Sequence, residues 1–418
     1  MGHINAGDTA WMLVSTALVF FMMPGLALFY GGLVSAKNVI ATMAQSFVAI
    51  GVLSVVWFAV GYSLVFGPDH GGIIGGLNFA FLRDVGAAPT SWAPTIPALV
   101  FMAFQMKFAV ITPALIAGAV AERMRFSAYL LFVTLWSLLI YCPLAHWVWG
   151  GGFLGTGGLH AIDFAGGSVV HASAGAAALA AAIYVGRRRG PGSDAHNIPL
   201  VLLGAGILWF GWFGFNAGSA LSANGVAGYA LVNTQLGASV GMLAWMAAEW
   251  SHKRQPSGAG LATGAVAGLA AITPAAGYVE PWAAILIGLG AGLVCYYAVH
   301  LKSRFKYDDS LDVVGVHMVG GALGVLLTGA FATLLVNTAG AQGGWTQVGR
   351  QAVLDVVAIA FPFIGTLVLL KLTNLLIGVR VTDSEEADGL DLSQHGEVAY
   401  RDEPGGREAA ATRPSMKE

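Results

Sequence analysis

Charged residues are scarce in this chain of 418 residues. Asp, Glu, Lys and Arg make up 10% of the sequence, against about 25% in typical soluble domains. The last 39 residues hold 15 of the 42 charged side chains, which leaves 27 for the first 379 residues. A body with so little charge cannot cover the surface of a large soluble enzyme. The net charge of −2 also provides no basic face for a nucleic acid.

Cysteine is almost absent. Cys142 and Cys295 both lie in apolar runs, so the sequence excludes a disulfide framework and a cysteine metal cluster. It also lacks a nucleophile with a matching base, a metal-ligand set and a phosphate-binding loop. We therefore expect no enzyme activity, no metal and no cofactor. The N-terminus lacks the charged region of a cleavable signal peptide.

Long apolar segments dominate the remaining sequence: 56% of residues are hydrophobic and 58 are glycine. A helix that crosses the hydrocarbon core of a bilayer needs about 20 mostly apolar residues. That length predicts eleven spans, near residues 9–33, 40–67, 94–121, 126–148, 161–185, 197–222, 226–250, 257–276, 281–300, 311–335 and 347–378. The small residues inside them are typical of closely packed transmembrane helices.

The basic residues between the spans predict the topology. One alternate set of short loops carries eleven Lys and Arg residues, and the other set carries only Arg83 and Arg350. Because cytoplasmic loops collect Lys and Arg, the N-terminus is expected outside and the C-terminus inside the cell. The sequence thus predicts an all-α, multi-pass protein of the cell inner (plasma) membrane. Residues 1–378 form its transmembrane domain and residues 379–418 a cytoplasmic tail.

An internal repeat relates the two halves of this domain. Asp163 precedes His171 by eight residues, and Asp309 precedes His317 by the same interval. The two sequences suggest one repeat over about 9–190 and a second over about 197–335, followed by an extra helix over about 347–378. Five is an odd number of membrane crossings, so the second copy would be inverted in the membrane relative to the first. Inverted repeats are common in transporters, with the functional site at midplane. A chance match of the two spacings is the alternative.

The two histidines would meet near the pseudo-two-fold axis of such a repeat. A single intramembrane histidine usually makes a hydrogen bond between helices, whereas a symmetry-related pair favours a function. As neutral imidazoles, His171 and His317 would offer one donor and one acceptor to a small solute, or would relay a proton. We interpret Asp163 first as a helix N-cap, with stabilisation of a cation as a secondary role.

Aromatic residues cluster at three predicted outer helix ends. Trp147 and Trp149 would by default belong to the interfacial belt. Phe104 and Phe108 share one helix face, and Trp212, Phe215 and Ser219 lie at helical spacing in another span. Each of these residues alone is explained by packing. Together they resemble a cation–π vestibule for a small ammonium-like ion.

At this point the chain resembles a known family, the Amt/Mep/Rh ammonium transporters, in its bacterial Amt branch. The motifs that carry the resemblance run in order along the chain: FYGGL, FQMKFAVITPALIAGAVAER, AHWVWG, DFAGGSVVHASAGAAALAAAIYVGRR, GWFGFNAGS, DVVGVHMVGG and the tail sequence GLDLSQHGEVAY. The resemblance implies eleven helices, a homotrimer with one pore per subunit, and ammonium or ammonia as substrate, with methylammonium as an analogue. It also implies a cytoplasmic PII-type regulatory partner for the tail.

The resemblance assigns a role to each candidate residue. Trp149, Phe104 and Ser219 match the external ammonium-recruitment site. Phe108 and Phe215 match the stacked phenyl rings that gate the pore, and His171, His317 and Trp212 match the pore lining. Asp163 matches an acid with a structural and electrostatic role.

Two features remain open at the sequence level. Lys107 lies inside the third span beside Phe108, where a charge is costly; we expect it to face another helix or a subunit contact. An ammonium sensor with little or no transport is the alternative function, although such sensors usually carry a fused signalling domain.

Overall fold

The computed structural model describes residues 3–190 and 195–400, so the end of the predicted tail, residues 401–418, lies outside the described residues. Eleven helical segments occur in the apolar part of the described chain, one for each predicted span. In chain order, α1–α11 are Ala6–Leu33, Val39–Phe66, Ala98–Val120, Phe126–Trp149, Gly167–Val185, Ile198–Gly218, Gly225–Lys253, Gly258–Ile272, Pro281–Phe305, Val314–Phe331 and Trp345–Ile377. Two short helices follow in the tail, α12 (Asp383–Asp388) and α13 (Leu390–His395).

Nine of the eleven segments in the described chain are long and apolar enough to cross a membrane. The other two are α7, which carries buried polar side chains such as Asn233, Thr234 and Glu249, and α8, which has only 15 residues. The protein is therefore a multi-pass, mostly helical membrane protein. Its helices begin at local signals: the side chains of Asn5, Asn197 and Ser257 cap α1, α6 and α8.

The prediction of an all-α chain missed two small antiparallel ribbons. Strands β1 (Asp69–His70) and β2 (Ile74–Gly75) pair after α2, and β3 (Pro89–Thr90) pairs with β4 (Ala93–Pro97) before α3. The predicted third span consequently starts too early, because residues 93–97 are extended. Two of those five residues are prolines, which lack the backbone N–H that helices use. We call the end of the bundle that carries these ribbons the outer end.

The packing brings equivalent parts of the two predicted repeats together. The first helices of the two repeats, α1 and α6, form the most extensive helix–helix contact of the described chain. The fifth helices, α5 and α10, also pack on each other. Both α5 and α10 start with a π-helical turn, Gly167–Ala172 and Val314–Met318, a feature that is frequent at functional sites. The two helices position the candidate site.

Candidate functional site

An aromatic cavity of about 250 Å³ opens at the outer end of the bundle. Its wall includes Trp149 from α4, Phe108 from α3 and Ser219 just after α6. The Trp149 indole N–H donates to the backbone oxygen of Asp163 at 2.9 Å, which orients the ring. The Ser219 hydroxyl donates to the backbone oxygen of Phe215 at 2.8 Å. Because its proton is used there, the Ser219 oxygen is left to accept a hydrogen bond from a ligand.

Asp163 lies in the wall of the same cavity and caps α5. Its Oδ1 accepts from the backbone N–H groups of Gly166 and Gly167 at 2.8 and 2.7 Å. Its Oδ2 accepts from the backbone N–H groups of Ser168 and Val169 at 2.8 and 3.2 Å, and from the Ser168 hydroxyl. These bonds use both oxygens of the carboxylate. They explain why α5 begins at Gly167, six residues later than the predicted span.

Two phenyl rings in tilted contact separate the outer cavity from the interior. The centroids of Phe108 and Phe215 are 4.3 Å apart, with 38° between the ring planes. Phe108 lines the outer cavity and Phe215 lines a second, inner cavity. Phe104 packs edge-on against Phe108 at 5.0 Å and is fully buried. It is outside the outer-cavity lining found among the described residues, so it supports Phe108 from behind.

The inner cavity is narrow and brings the two histidines together. It holds only about 10 Å³, close to the minimum for one water molecule. The Nδ1 atoms of His171 and His317 are 3.2 Å apart, and Trp212 stacks on His171 at 5.3 Å. The Nε2 atom of His171 is buried with no hydrogen-bond partner in the described part of the chain. The remaining wall is mostly apolar, with residues such as Met22, Leu26, Ile111, Leu115 and Leu208.

The hydrogen bond between the two imidazoles constrains their protonation. One Nδ1 must donate and the other must accept. If both rings are neutral, the donor ring then carries a lone pair at Nε2 and the acceptor ring carries a proton at Nε2. The pair therefore presents one acceptor and one donor, as the sequence predicted for two neutral imidazoles.

Glycines at equivalent repeat positions allow this close approach. A Cβ atom at Gly175 would lie 2.2 Å from the backbone nitrogen of Met318, the residue after His317. A Cβ atom at Gly321 would lie 2.8 Å from the backbone nitrogen of Ala172, the residue after His171. The two contacts are reciprocal, the arrangement expected of two copies related by a two-fold axis.

Lys107 lies away from both cavities. Its ammonium group is 5.4 Å from the ring centroid of Phe20 in α1, and the side chain lines an open groove between α1 and α3. The side chain thus faces another helix, as expected from its 100° separation from Phe108. Trp147 also points elsewhere, since its indole packs on Phe153 and Phe361.

Sequence reasoning missed most of the outer-cavity wall, including two residues with polar groups. Gln105 and Tyr278 both line it. Phe101, Gln105 and Phe108 lie at positions i, i+4 and i+7 of α3, so helical spacing could have identified Gln105. Tyr278 lies in the connection between α8 and α9, where no periodic pattern applies.

A buried arginine lies just after α3, at the opposite end of the bundle. The guanidinium of Arg123 donates to the backbone oxygens of Ala119 and Ala121 and to that of Gly186 after α5. It also donates to the Ser310 hydroxyl, 2.7 Å away, before α10. Burial lowers the pKa of Arg123 to about 10, although the charge of Asp308 opposes the shift. Arg123 thus joins the inner ends of the two helices that carry the histidines.

The tail packs against the inner ends of other helices. Asp391 Oδ1 accepts from the backbone N–H of Ala41 at the start of α2, at 2.8 Å. The Gln394 side chain accepts from the backbone N–H of Phe126 at the start of α4, at 3.3 Å. Burial raises the pKa of Asp391 above its ordinary value. The described part of the tail therefore supplies caps to two helices of the bundle.

Comparison with known proteins identifies the family. A family model described as Ammonium Transporter Family matches residues 10–400. The chain belongs to the ammonium transporter family. It is 50% identical to an ammonium transporter of Bacillus subtilis, over 96% of this chain and the whole of that relative.

Solved structures of this family share the fold. The chain matches Mep2 of Saccharomyces cerevisiae with a TM-score of 0.86 and 36% identity, covering 91% of this chain and 89% of Mep2. It also matches a structure titled Sensor Amt Protein with a TM-score of 0.86 and 31% identity, covering 93% of this chain and 98% of that one. The relative from Bacillus is named as a transporter, which supports a role other than catalysis.

Proposed function

We propose that this protein transports ammonium across the cell inner membrane by binding NH4+ at the outer cavity and passing NH3 through the inner one. The observation that carries the proposal is that two unlike cavities lie one after the other. A wider one with aromatic and polar walls is separated by two phenyl rings from a narrow, mostly apolar one that contains paired imidazoles.

Recruitment at the outer cavity uses chemistry that suits ammonium. The ring of Trp149 provides a cation–π contact, and the oxygen of Ser219 accepts a hydrogen bond from the ion. Phe104 contributes through its edge-on contact with Phe108. Potassium has the same charge and a similar size, but it donates no hydrogen bond and cannot lose a proton.

Deprotonation follows from the change of environment at the gate formed by Phe108 and Phe215. A bare cation is strongly penalised in a narrow apolar passage, whereas neutral ammonia is not. Ammonium therefore releases its proton before NH3 passes the edges of His171 and His317, with Trp212 as an aromatic wall. The proton either returns to water in the outer cavity or travels along the imidazole pair.

The wider organisation is proposed with the same function. All eleven helical segments span the membrane as two inverted five-helix repeats plus α11, with the N-terminus outside and the C-terminus in the cytoplasm. Three copies assemble as a homotrimer, in which each subunit has its own pore. A cytoplasmic PII-type protein regulates transport through the tail.

Ammonium-driven current in proteoliposomes tests the function. The parent protein is expected to give an ammonium- and methylammonium-dependent signal, and the His171→Ala and His317→Ala variants are expected to lower it. Undiminished signals in both variants would refute the role of the histidines. The Lys107→Met variant serves as a control outside the cavities.

The sensor function is the second candidate, since the fold also matches the Sensor Amt Protein. A sensor would bind ammonium at the outer cavity without passing it. Saturable binding by purified protein, together with no uptake of methylammonium in the same preparation, would favour this alternative.

A further inference from the structure

A buried histidine at the outer end of α4 has an acceptor at each ring nitrogen. His146 is fully buried, and its Nδ1 lies 2.7 Å from the carbonyl oxygen of Val65. Its Nε2 lies 2.9 Å from Oδ1 of Asp69. A carbonyl and an ionised carboxylate only accept hydrogen bonds, so both ring nitrogens must donate. The geometry therefore requires a doubly protonated, positively charged imidazole.

The carboxylate of Asp69 carries the matching negative charge. Its side chain is 43% exposed, and both of its oxygens also accept from the backbone N–H of Gly72, at 2.9 and 3.0 Å. The hydrogen bond from His146 and those from Gly72 hold the pKa of Asp69 below its ordinary value of 3.8. Asp69 is therefore ionised at neutral pH, as the doubly protonated histidine requires.

The ion pair joins three separate elements. Val65 lies in the last turn of α2, where carbonyl groups have no partner within the helix, and His146 supplies the missing donor. Asp69 begins β1, so the same imidazole also holds the β1–β2 ribbon against α4. A neighbouring bond reinforces the contact, since the indole N–H of Trp147 donates to the backbone oxygen of Ile73 at 2.7 Å.

The two helix ends held in this way form two walls of the outer cavity. Phe66 follows Val65 directly, and Trp149 lies one turn beyond His146; both line the cavity. His146 is outside the lining found among the described residues, so it acts through its neighbours. We propose that the ion pair of His146 and Asp69 is a clasp that positions Trp149 and Phe66 for ammonium binding. This inference rests on the proposed recruitment of ammonium by Trp149.

Few other ionisable groups act on the clasp. His70 lies beside Asp69 on the same ribbon and contributes a weak electrostatic effect. The last turn of α2, residues 62–66, contributes only the phenol of Tyr62, and residues 150–159 after α4 carry no ionisable side chain. The last turns of α4 contribute only the thiol of Cys142 besides His146. The charges of the clasp therefore belong to His146 and Asp69.

Initial rates of methylammonium uptake in proteoliposomes test this inference. Concentrations refer to the methylammonium cation, corrected for its own deprotonation. We expect His146→Gln to raise the half-saturation concentration about five-fold, the size of a partly lost cation–π contact, with the maximal rate per folded protein nearly unchanged. Asp69→Asn should also raise the half-saturation concentration, because it removes the carboxylate from the ion pair. His70→Gln, on the same ribbon, should follow the parent.

The outcomes separate the clasp from the outer site. Parental half-saturation in both His146→Gln and Asp69→Asn would overturn the clasp, as would a loss confined to the maximal rate. Asp69 is partly exposed, so its variant remains informative if His146→Gln does not fold. If Trp149→Leu also leaves half-saturation unchanged, the recruitment site itself is wrong.

Discussion

Replacing Asp163 by Asn removes half of the cap that starts α5. Each carboxylate oxygen accepts two backbone N–H groups, and one oxygen also accepts the Ser168 hydroxyl. The amide of Asn supplies one oxygen and one NH2 group, so at least two backbone donors face another donor. An unsatisfied buried donor costs about 1–3 kcal/mol, which gives a loss of about 2–6 kcal/mol for Asp163→Asn.

Asp309→Asn is the matched control at the equivalent position of the second repeat. Asp309 Oδ2 accepts one backbone N–H, from Val314 at 2.7 Å, and its Oδ1 has no hydrogen-bond partner in the described chain. Asn keeps an oxygen for Val314, so we expect a cost below about 1 kcal/mol. Thermal unfolding of the purified variants in one detergent measures the difference. Equal midpoints for the two variants would refute the argument that Asp163 organises α5.

Three further predictions follow from side chains outside the pore. Lys107→Met should leave methylammonium uptake within about two-fold of the parent, because Lys107 contacts Phe20 rather than either cavity; a larger change would contradict this placement. Burial, with the nearby charge of Asp312, raises the pKa of Asp309 to about 6. The contribution of the protonated Asp309 carboxyl to stability is therefore lost as the pH rises through about 6. Asp309→Asn should therefore gain stability relative to the parent between pH 4 and 6, measured by thermal unfolding at each pH. Asp391→Ala should cost about 0.5–2 kcal/mol through the lost cap of α2 and make the tail more sensitive to limited proteolysis; an unchanged digestion pattern would contradict the cap.

Hydropathy anticipated the helical segments of the described bundle better than their boundaries. Nine of the segments α1–α11 are long and apolar enough to cross a membrane, because crossing a bilayer imposes both properties. The errors occur where local chemistry overrides hydropathy. Residues 94–97 belong to the predicted third span yet are extended, since two of them are prolines. Residues 161–166 belong to the predicted fifth span yet lie outside α5, because the side chain of Asp163 accepts from the backbone N–H groups that start the helix.

The predicted repeat located the two histidines of the site better than the residues around them. Equal spacing from Asp to His identified His171 and His317 as partners, and their Nδ1 atoms lie within hydrogen-bond distance. His146, Arg123 and Asp391 carry no comparable signal. Each of them bonds to an element distant in sequence, so its role depends on which helix ends meet in space. A single sequence does not show which helix ends are in contact.

The two histidines of the predicted repeat have an asymmetric arrangement of protons, and this has a consequence for transport. The single hydrogen bond between His171 and His317 makes one ring a donor and the other an acceptor. If a proton enters at the free Nε2 of one ring and leaves from the other, the shared Nδ1 proton shifts and the polarity of the pair reverses. Proton relay therefore requires both rings, whereas neutral ammonia needs only an open passage. If the proton travels along the pair, either single His→Ala variant should lose ammonium-driven current more than methylammonium uptake. Equal losses of current and uptake would show that the histidines act on ammonia rather than on the proton.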